Sequence, residues 1–181
     1  MTLIPTLETP RLTLRAPAES DLDAESAFFA SARSVHVGGP KTREEVWRMI
    51  ATFLGHWQIR GYGFWAIDER DSGRYCGRAG LWFPEGWPEP EIGWALMEGA
   101  EGRGVAHEAA SAARDYAYDI LGWDTAISLI APDNERSIRL AERLGARFER
   151  EYEHVRFGRM RIYRHPAPGA RDNDGNVEAY A

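Results

Sequence analysis

The chain has a single cysteine, Cys76, so no internal disulfide can form and a cysteine-rich metal site is excluded. Cys76 reads as a small buried side chain rather than a nucleophile. Positive charge is not in excess. Lys and Arg number 22 against 28 Asp and Glu, a net charge of -6, whereas nucleic-acid binders present a basic face. The acidic balance is compatible with a cationic acceptor such as an amine, and otherwise speaks to solubility. No apolar run approaches the roughly 20 residues that span a bilayer. Met1 to Leu14 carries no apolar stretch behind a basic one. Neither a membrane span nor a signal peptide is therefore expected, and the cytoplasm is the expected location. Internal repeats and low-complexity blocks are missing too.

What remains is a chain of 181 residues, 44% apolar, with seven each of Trp, Tyr and Phe. That suits one domain with a sizeable core. The domain is read over residues 1–165, with a tail over 166–181 whose Pro, Gly, Asp and Asn predict fraying. Arg11 to Arg15 alternates as a half-buried strand. Ser20 caps a helix over Asp21 to Ser31. Thr42 and Glu45 form a capping box for a second helix, with Val46, Met49, Ile50, Phe53 and Leu54 at helical spacing. Strands follow at Tyr62 to Asp68, Arg74 to Phe83 and Glu91 to Met97, expected to be antiparallel neighbours. A loop over Gly99 to Gly104 opens an Ala-rich helix whose inner side is Val105, Ala109, Ala113, Ala117 and Ile120. Trp123 to Ile130 is a strand, and the step to it from Glu91 is expected to be a right-handed parallel crossover. Asn134 to Leu144 is a helix stopped by Gly145. Phe148 to Phe157 and Met160 to Arg164 form a hairpin turning at Gly158. The fold class is thus α/β.

Two stretches point to chemistry. Glu101-Gly102-Arg103-Gly104-Val105-Ala106 lies between a strand and a helix. Its glycines let the backbone approach a ligand and reach positive φ. The following helix N-terminus favours an anion, typically a phosphate. A nucleotide-hydrolase loop is not matched, because no Lys-Ser or Lys-Thr pair follows. A dinucleotide fingerprint fails because position 107 is His. Downstream, Asn134 caps the next helix, with Ser137 one turn later. Either stretch alone would be an ordinary helix start.

Together, and in this order, they resemble the GCN5-related N-acetyltransferase (GNAT) superfamily over nearly the whole chain. The finer likeness is to RimJ/RimL-like acetyltransferases. It is carried by Leu7-Glu8-Thr9-Pro10-Arg11-Leu12-Thr13-Leu14-Arg15, by Glu91-Ile92-Gly93-Trp94-Ala95-Leu96, and by Asn134-x-x-Ser137 with Arg143-Leu144-Gly145-Ala146. The resemblance implies a GNAT fold. That fold is a mixed, mostly antiparallel seven-stranded sheet flanked by about four helices, with the fourth and fifth strands splayed into a wedge. It also implies acetyl-CoA as cosubstrate, no metal, and acetyl transfer by direct attack of a primary amine, on a small molecule or a protein N-terminus. Backbone N–H groups of Glu101, Gly102, Arg103, Gly104, Val105 and Ala106 would hold the pyrophosphate. Leu96 and Met97 would pair with the pantetheine arm, and a backbone N–H there would polarise the thioester carbonyl. Asn134 would touch the same arm and Ser137 would lie near the sulfur.

Two positions depart from the superfamily. Glu101 stands where Gln or Arg is frequent, so its carboxylate is expected to point away while Arg103 supplies countercharge. Ala141 stands where many members carry a Tyr that protonates the leaving thiolate, which leaves Ser137 or water for that task. Glu91 is the expected general base; its alternative is a salt-bridged strand carboxylate. His56, His107 and His154 are further base candidates. Trp82, Trp87 and Trp94 wall an acceptor pocket or pack the core, and Trp94 reads as core. Two other functions fit parts of the pattern: a non-catalytic acyl-CoA-binding or sensory module on the same fold, and a nucleotide-dependent enzyme. The acceptor is not chosen by fold, and monomer and homodimer are both compatible with the sequence.

Overall fold

Local signals account for most element boundaries in the computed structural model, which describes residues 3–173. Strands β1 (Leu7–Glu8) and β2 (Leu12–Arg15) lead into helices α1 (Leu22–Ala30) and α2 (Arg43–Arg60). Strands β3 (Phe64–Glu69), β4 (Tyr75–Trp82) and β5 (Glu91–Leu96) come next. Helix α3 (Val105–Asp115), strand β6 (Ile127–Ile130), helix α4 (Glu135–Arg143) and strands β7 (Arg147–His154) and β8 (Gly158–Arg164) complete the order. The Thr42 capping box forms as expected: Thr42 N–H donates to Glu45 Oε2 at 2.7 Å and Glu45 N–H to Thr42 Oγ1 at 3.3 Å. Such a cap contributes about 1 kcal/mol. Gly61 then ends α2 in the left-handed region at φ 78°.

All eight strands join one sheet in the order β1-β2-β3-β4-β5-β6-β8-β7. Among the described residues only the β5–β6 pair is parallel; every other pair is antiparallel. Alternation along β5 supplies both faces. Ile92 packs with Leu14, Ile67 and Leu81 beneath the alanine stripe Ala109, Ala113 and Ala117 of α3 and its continuation. Ala95 and Met97 face the other way, against Phe28 and Phe29 of α1 and Val46 and Ile50 of α2. Each fully buried Leu, Ile, Val or Phe contributes about 1.5–3 kcal/mol. Cys76 is buried in the first of these layers, and burial pushes its thiol pKa up.

The structure corrects the sequence reading in several places. The sheet has eight strands rather than seven, because Leu7–Glu8 pairs with β2 in the register Leu7↔Leu14. Ile120 is exposed, not on the inner side of its helix. Tyr116–Ile120 is a π-turn, and its extra residue rotates the following side chains off the stripe. Leu54 is exposed as well, beside the buried stripe that runs through Val46, Ile50, Phe53 and Trp57. The segment read as a frayed tail begins ordered: Tyr118 Oη donates to Pro166 O at 2.9 Å, and Pro168–Asn173 is a 3-10 turn. The rest of that tail, residues 174–181, lies outside the described residues. Among the described residues no helix is long and apolar enough to cross a membrane.

Candidate active site

The site begins where the sheet parts. Strands β5 and β6 are paired only at Glu91↔Ile127, with Ile127 N–H donating to Pro90 O at 3.0 Å. In a regular parallel ladder the next rung would join Leu129 N–H to Ile92 O. Instead, Leu129 N–H donates to Glu91 Oε1 at 3.1 Å, and Ile92 O accepts the Ser128 hydroxyl at 2.7 Å. Two side chains thus take the place of one backbone rung, and the strands diverge beyond it. On the β4 side, Met97 N–H donates to Cys76 O at 2.9 Å. Antiparallel alternation then turns the backbone groups of Ile92, Trp94 and Leu96 toward the gap. Leu96 O there accepts Arg33 Nη2 at 2.9 Å.

A cavity of about 610 Å³ occupies this parting and brings together Glu91, Trp94, Asn134 and Ser137. Arg78, Gly93 and Glu91 reach it from one face of the sheet, while Trp94 and Ser137 reach it from the gap and α4. Gly93 keeps its floor open: a Cβ there would stand 3.0 Å from the Phe64 ring and 3.8 Å from Glu91 Oε1. Glu91 is buried. Desolvation pushes its carboxyl up to about 7, against the opposing pull of N–H bonds from Trp87 Nε1 (2.5 Å) and Leu129. Asn134 Oδ1 caps α4 by accepting Ser137 N–H at 3.3 Å, and Ser137 Oγ accepts Trp94 Nε1–H at 3.3 Å. Trp94 is part of the packing, as the sequence suggested, and also a wall of the cavity. Trp82 and Trp87 line it as well.

The glycine loop lies apart from this cavity, at the start of α3. Gly102 and Gly104 both adopt positive φ, 70° and 77°. Gly104 occupies the N-cap position and has no side chain to satisfy the first N–H groups of α3, whereas Thr42 and Asn134 cap α2 and α4. Nothing stands within 4 Å of a Cβ added at Gly102. The donor set suits a phosphate group. Arg11 braces the loop, donating from Nη1 to Arg103 O at 2.8 Å and pairing with Glu108 at 2.6 Å. Glu101 does not simply point away: its carboxylate is paired with Arg33 at 2.6 Å and Arg136 at 3.1 Å. Arg103 is engaged with Glu69, so it is not a free countercharge. Val105, the first residue of α3, is buried in the core layer, and Ala106 packs partly against the same layer. Met97 faces α1 and α2 with its N–H bound to Cys76 O, which leaves Leu96 as the strand-end donor toward the gap.

Of the histidines, His56 has both ring nitrogens engaged, Nδ1 with Tyr62 O at 2.8 Å and Nε2 accepting Phe83 N–H at 3.0 Å. Burial lowers its pKa. It holds the cavity wall by stacking on Trp82. His107 is outside the cavity, 3.4 Å from Arg143 O. His154 does line the cavity; its Nδ1 accepts Arg156 N–H at 3.0 Å, and burial and then Arg156 lower its pKa. Ala141, at the position of the superfamily's Tyr, is buried against Ile130, Ala146 and Tyr163. Sequence reasoning missed the Trp87–Glu91 bond, the buried pair Arg78–Glu25, and Ser128 with its partner His165 Nε2 at 2.9 Å. A hydroxyl between two apolar residues of a wholly buried strand was the available signal for Ser128.

Comparison with known proteins agrees with this architecture. The family model for the acetyltransferase (GNAT) domain matches residues 11–147. An acetyltransferase crystal structure from Agrobacterium tumefaciens shares 40% identity at a TM-score of 0.82, covering 90% of this chain and 94% of that one. The Bacillus subtilis protein described as uncharacterized N-acetyltransferase YoaA is 29% identical over 153 residues, which is 82% of this chain and 85% of that protein. RimL, a ribosomal L7/L12 alpha-N-protein acetyltransferase solved in complex with coenzyme A, shares the fold at a TM-score of 0.73 and 18% identity, covering 90% and 98%. A mixed sheet parted between its parallel neighbours β5 and β6, a phosphate-suited loop before α3 and a family match over most of the chain lead to one conclusion: this chain is an acyltransferase that belongs to the GNAT acetyltransferase family.

Proposed function

We propose that the protein transfers the acetyl group of acetyl-CoA to a primary amine by direct attack, with Glu91 as general base. The observation that carries this reading is Glu91 itself, a buried carboxyl at the mouth of the strand parting whose pKa is pushed up to about 7. A base acts best when its pKa lies near the working pH. Accepting from Trp87 and Leu129 leaves Glu91 further lone pairs for an amine proton, directly or through one water.

Acetyl-CoA would lie with its pyrophosphate on the N–H groups at Glu101 to Ala106 and its pantetheine arm along Leu96 and Asn134. The Leu96 N–H faces the gap and is the candidate donor to the thioester carbonyl. The amine nitrogen bonds to the carbonyl carbon, the amine proton passes to Glu91, and the carbon–sulfur bond breaks. The departing sulfur takes a proton. The Ser137 hydroxyl, whose oxygen accepts from Trp94, would relay it, giving its own hydrogen to the sulfur and taking one from water. Ala141 supplies no acid, so water is the other proton source. An acceptor screen with acetyl-CoA, read as free thiol together with acetylated amine, tests the reading.

A further inference from the structure

We propose that the amine acceptor carries a carboxylate, held between Lys41 and Arg156 at the rim of the cavity. The proposal rests on the acetyl-transfer reading above and narrows its acceptor class. Lys41 is the only lysine in the sequence. With Arg78 and Arg156 it gives the cavity wall three cations. The chain as a whole has a net charge of -6, so this local excess runs against its composition.

The three cations differ in one respect. Arg78 is neutralised from within: it pairs with buried Glu25, which also accepts Tyr75 Oη–H at 2.6 Å. Lys41 and Arg156 have no such partner; among the described residues neither has a carboxylate within 4.0 Å. Lys41 Nζ donates to Gly38 O at 2.6 Å and lies 5.4 Å from the Phe29 ring centre. Arg156 lies over the neighbouring Phe157 ring at 5.5 Å. A second hollow of about 310 Å³ shares Lys41, Phe53, Trp82 and Arg156 with the main cavity, so the two cations stand on the wall between them.

The nearby carboxylates offset only part of this charge. Glu45 borders the second hollow and attracts Lys41, but it bonds the Thr42 N–H and forms no ion pair with either cation, and Glu91 faces Trp87 and Leu129. Glu85 alone adds a rim carboxylate. Burial and then Arg156 hold the Lys41 ammonium below its ordinary pKa, as expected of cations that repel one another. An acceptor carboxylate would relieve that repulsion through charge-assisted hydrogen bonds. The same positive field favours the neutral form of the acceptor amine, which is the form that attacks. The shared chemistry is an amine with a carboxylate on one molecule, met in a free amino acid or in an acidic amino-terminal peptide.

The test measures thiol release from acetyl-CoA for matched acceptors. Alanine is compared with alaninamide, and alanine-first tripeptide amides carry aspartate or asparagine at the second position. The carboxylate member is expected to win in kcat/KM by about tenfold or more in at least one arm; the winning arm identifies the source. In the double variant Lys41→Met with Arg156→Gln that ratio falls to near one, while the melting shift caused by acetyl-CoA persists. Equal use of acid and amide in both arms, or a ratio the double variant does not change, overturns the proposal while leaving acetyl transfer standing. If no amine is acetylated, the transfer reading fails, and the anion site is then read from melting shifts with N-acetylalanine and N-acetylaspartate against their amides. A shift for the acids alone, lost in the double variant, supports the site; no difference overturns it.

Discussion

The N–H of Leu129 donates to Glu91 Oε1 at 3.1 Å, in place of the rung it would make to Ile92 O in a regular parallel ladder. One side chain therefore closes the end of the paired region and lines the cavity beyond it. This double position makes the choice of substitution decisive. Removing the side chain would disturb the parting itself, whereas glutamine keeps an oxygen for Leu129 and loses the proton acceptor together with the acceptor for the Trp87 N–H.

Glu91→Gln should lower kcat on an amine acceptor by about a hundredfold or more, the usual contribution of a positioned base, and leave the affinity for acetyl-CoA nearly unchanged. Parent activity should rise with pH through about 7, as the carboxylate forms. That inflection should be absent from the variant, and the gap between the two should shrink at higher pH, where more of the amine is already neutral. Profiles of kcat/KM against pH for both proteins check this. A variant that keeps the inflection would show that Glu91 only closes the ladder.

The same carboxyl ties stability to pH. Its folded pKa of about 7 lies above the ordinary 4.5, so the folded chain binds this proton more tightly than the unfolded chain. The resulting contribution is fully present below about 4.5 and is lost as pH rises to about 7, amounting to up to about 3 kcal/mol. Denaturant unfolding at about pH 5 and about pH 8 should therefore show Glu91→Gln gaining on the parent at the higher pH. An equal difference at both values would contradict the raised pKa.

Gly104 has φ 77°, and a Cβ there would stand 3.2 Å from Arg11 Nη2, which is itself held by Glu108. Gly104→Val, with a β-branched side chain in the left-handed region, should distort the loop and fill its anion face. Acetyl-CoA at about a hundred times its dissociation constant stabilises a protein by roughly 2.7 kcal/mol. The parent should show the corresponding rise in melting temperature and the variant, still folded, should not. An unchanged rise in the variant would place the phosphates elsewhere.

The legible parts of this molecule were the local ones. Thr42 with Glu45, Gly61 and Asn134 act within one turn of themselves, so spacing alone revealed them. Glu91 was legible as a strand residue near the parting; its burial was not, because that depends on Trp87 folding back and on β6 alongside. Ser128 with His165 and Arg78 with Glu25 join positions 37 and 53 apart, distances at which spacing carries no signal. Leu7–Glu8 is too short for alternation to mark it, and the π-turn at Tyr116–Ile120 breaks the period by which Ile120 was assigned. Which of Leu96 and Met97 turns its N–H toward the gap depends on the β4–β5 register, which only the paired structure fixes: Met97 N–H goes to Cys76 O, and the Leu96 N–H faces the gap.

The most direct measurement of the central claim is paired product analysis in one reaction: free CoA thiol and acetylated amine, counted together in a panel of primary amines with acetyl-CoA. At least one amine should be acetylated in one-to-one amount with the thiol released, with both signals falling together in Glu91→Gln. Binding of acetyl-CoA with no amine acetylated anywhere in the panel would contradict it, and would leave a protein that holds the cosubstrate in this fold without transferring its acetyl group.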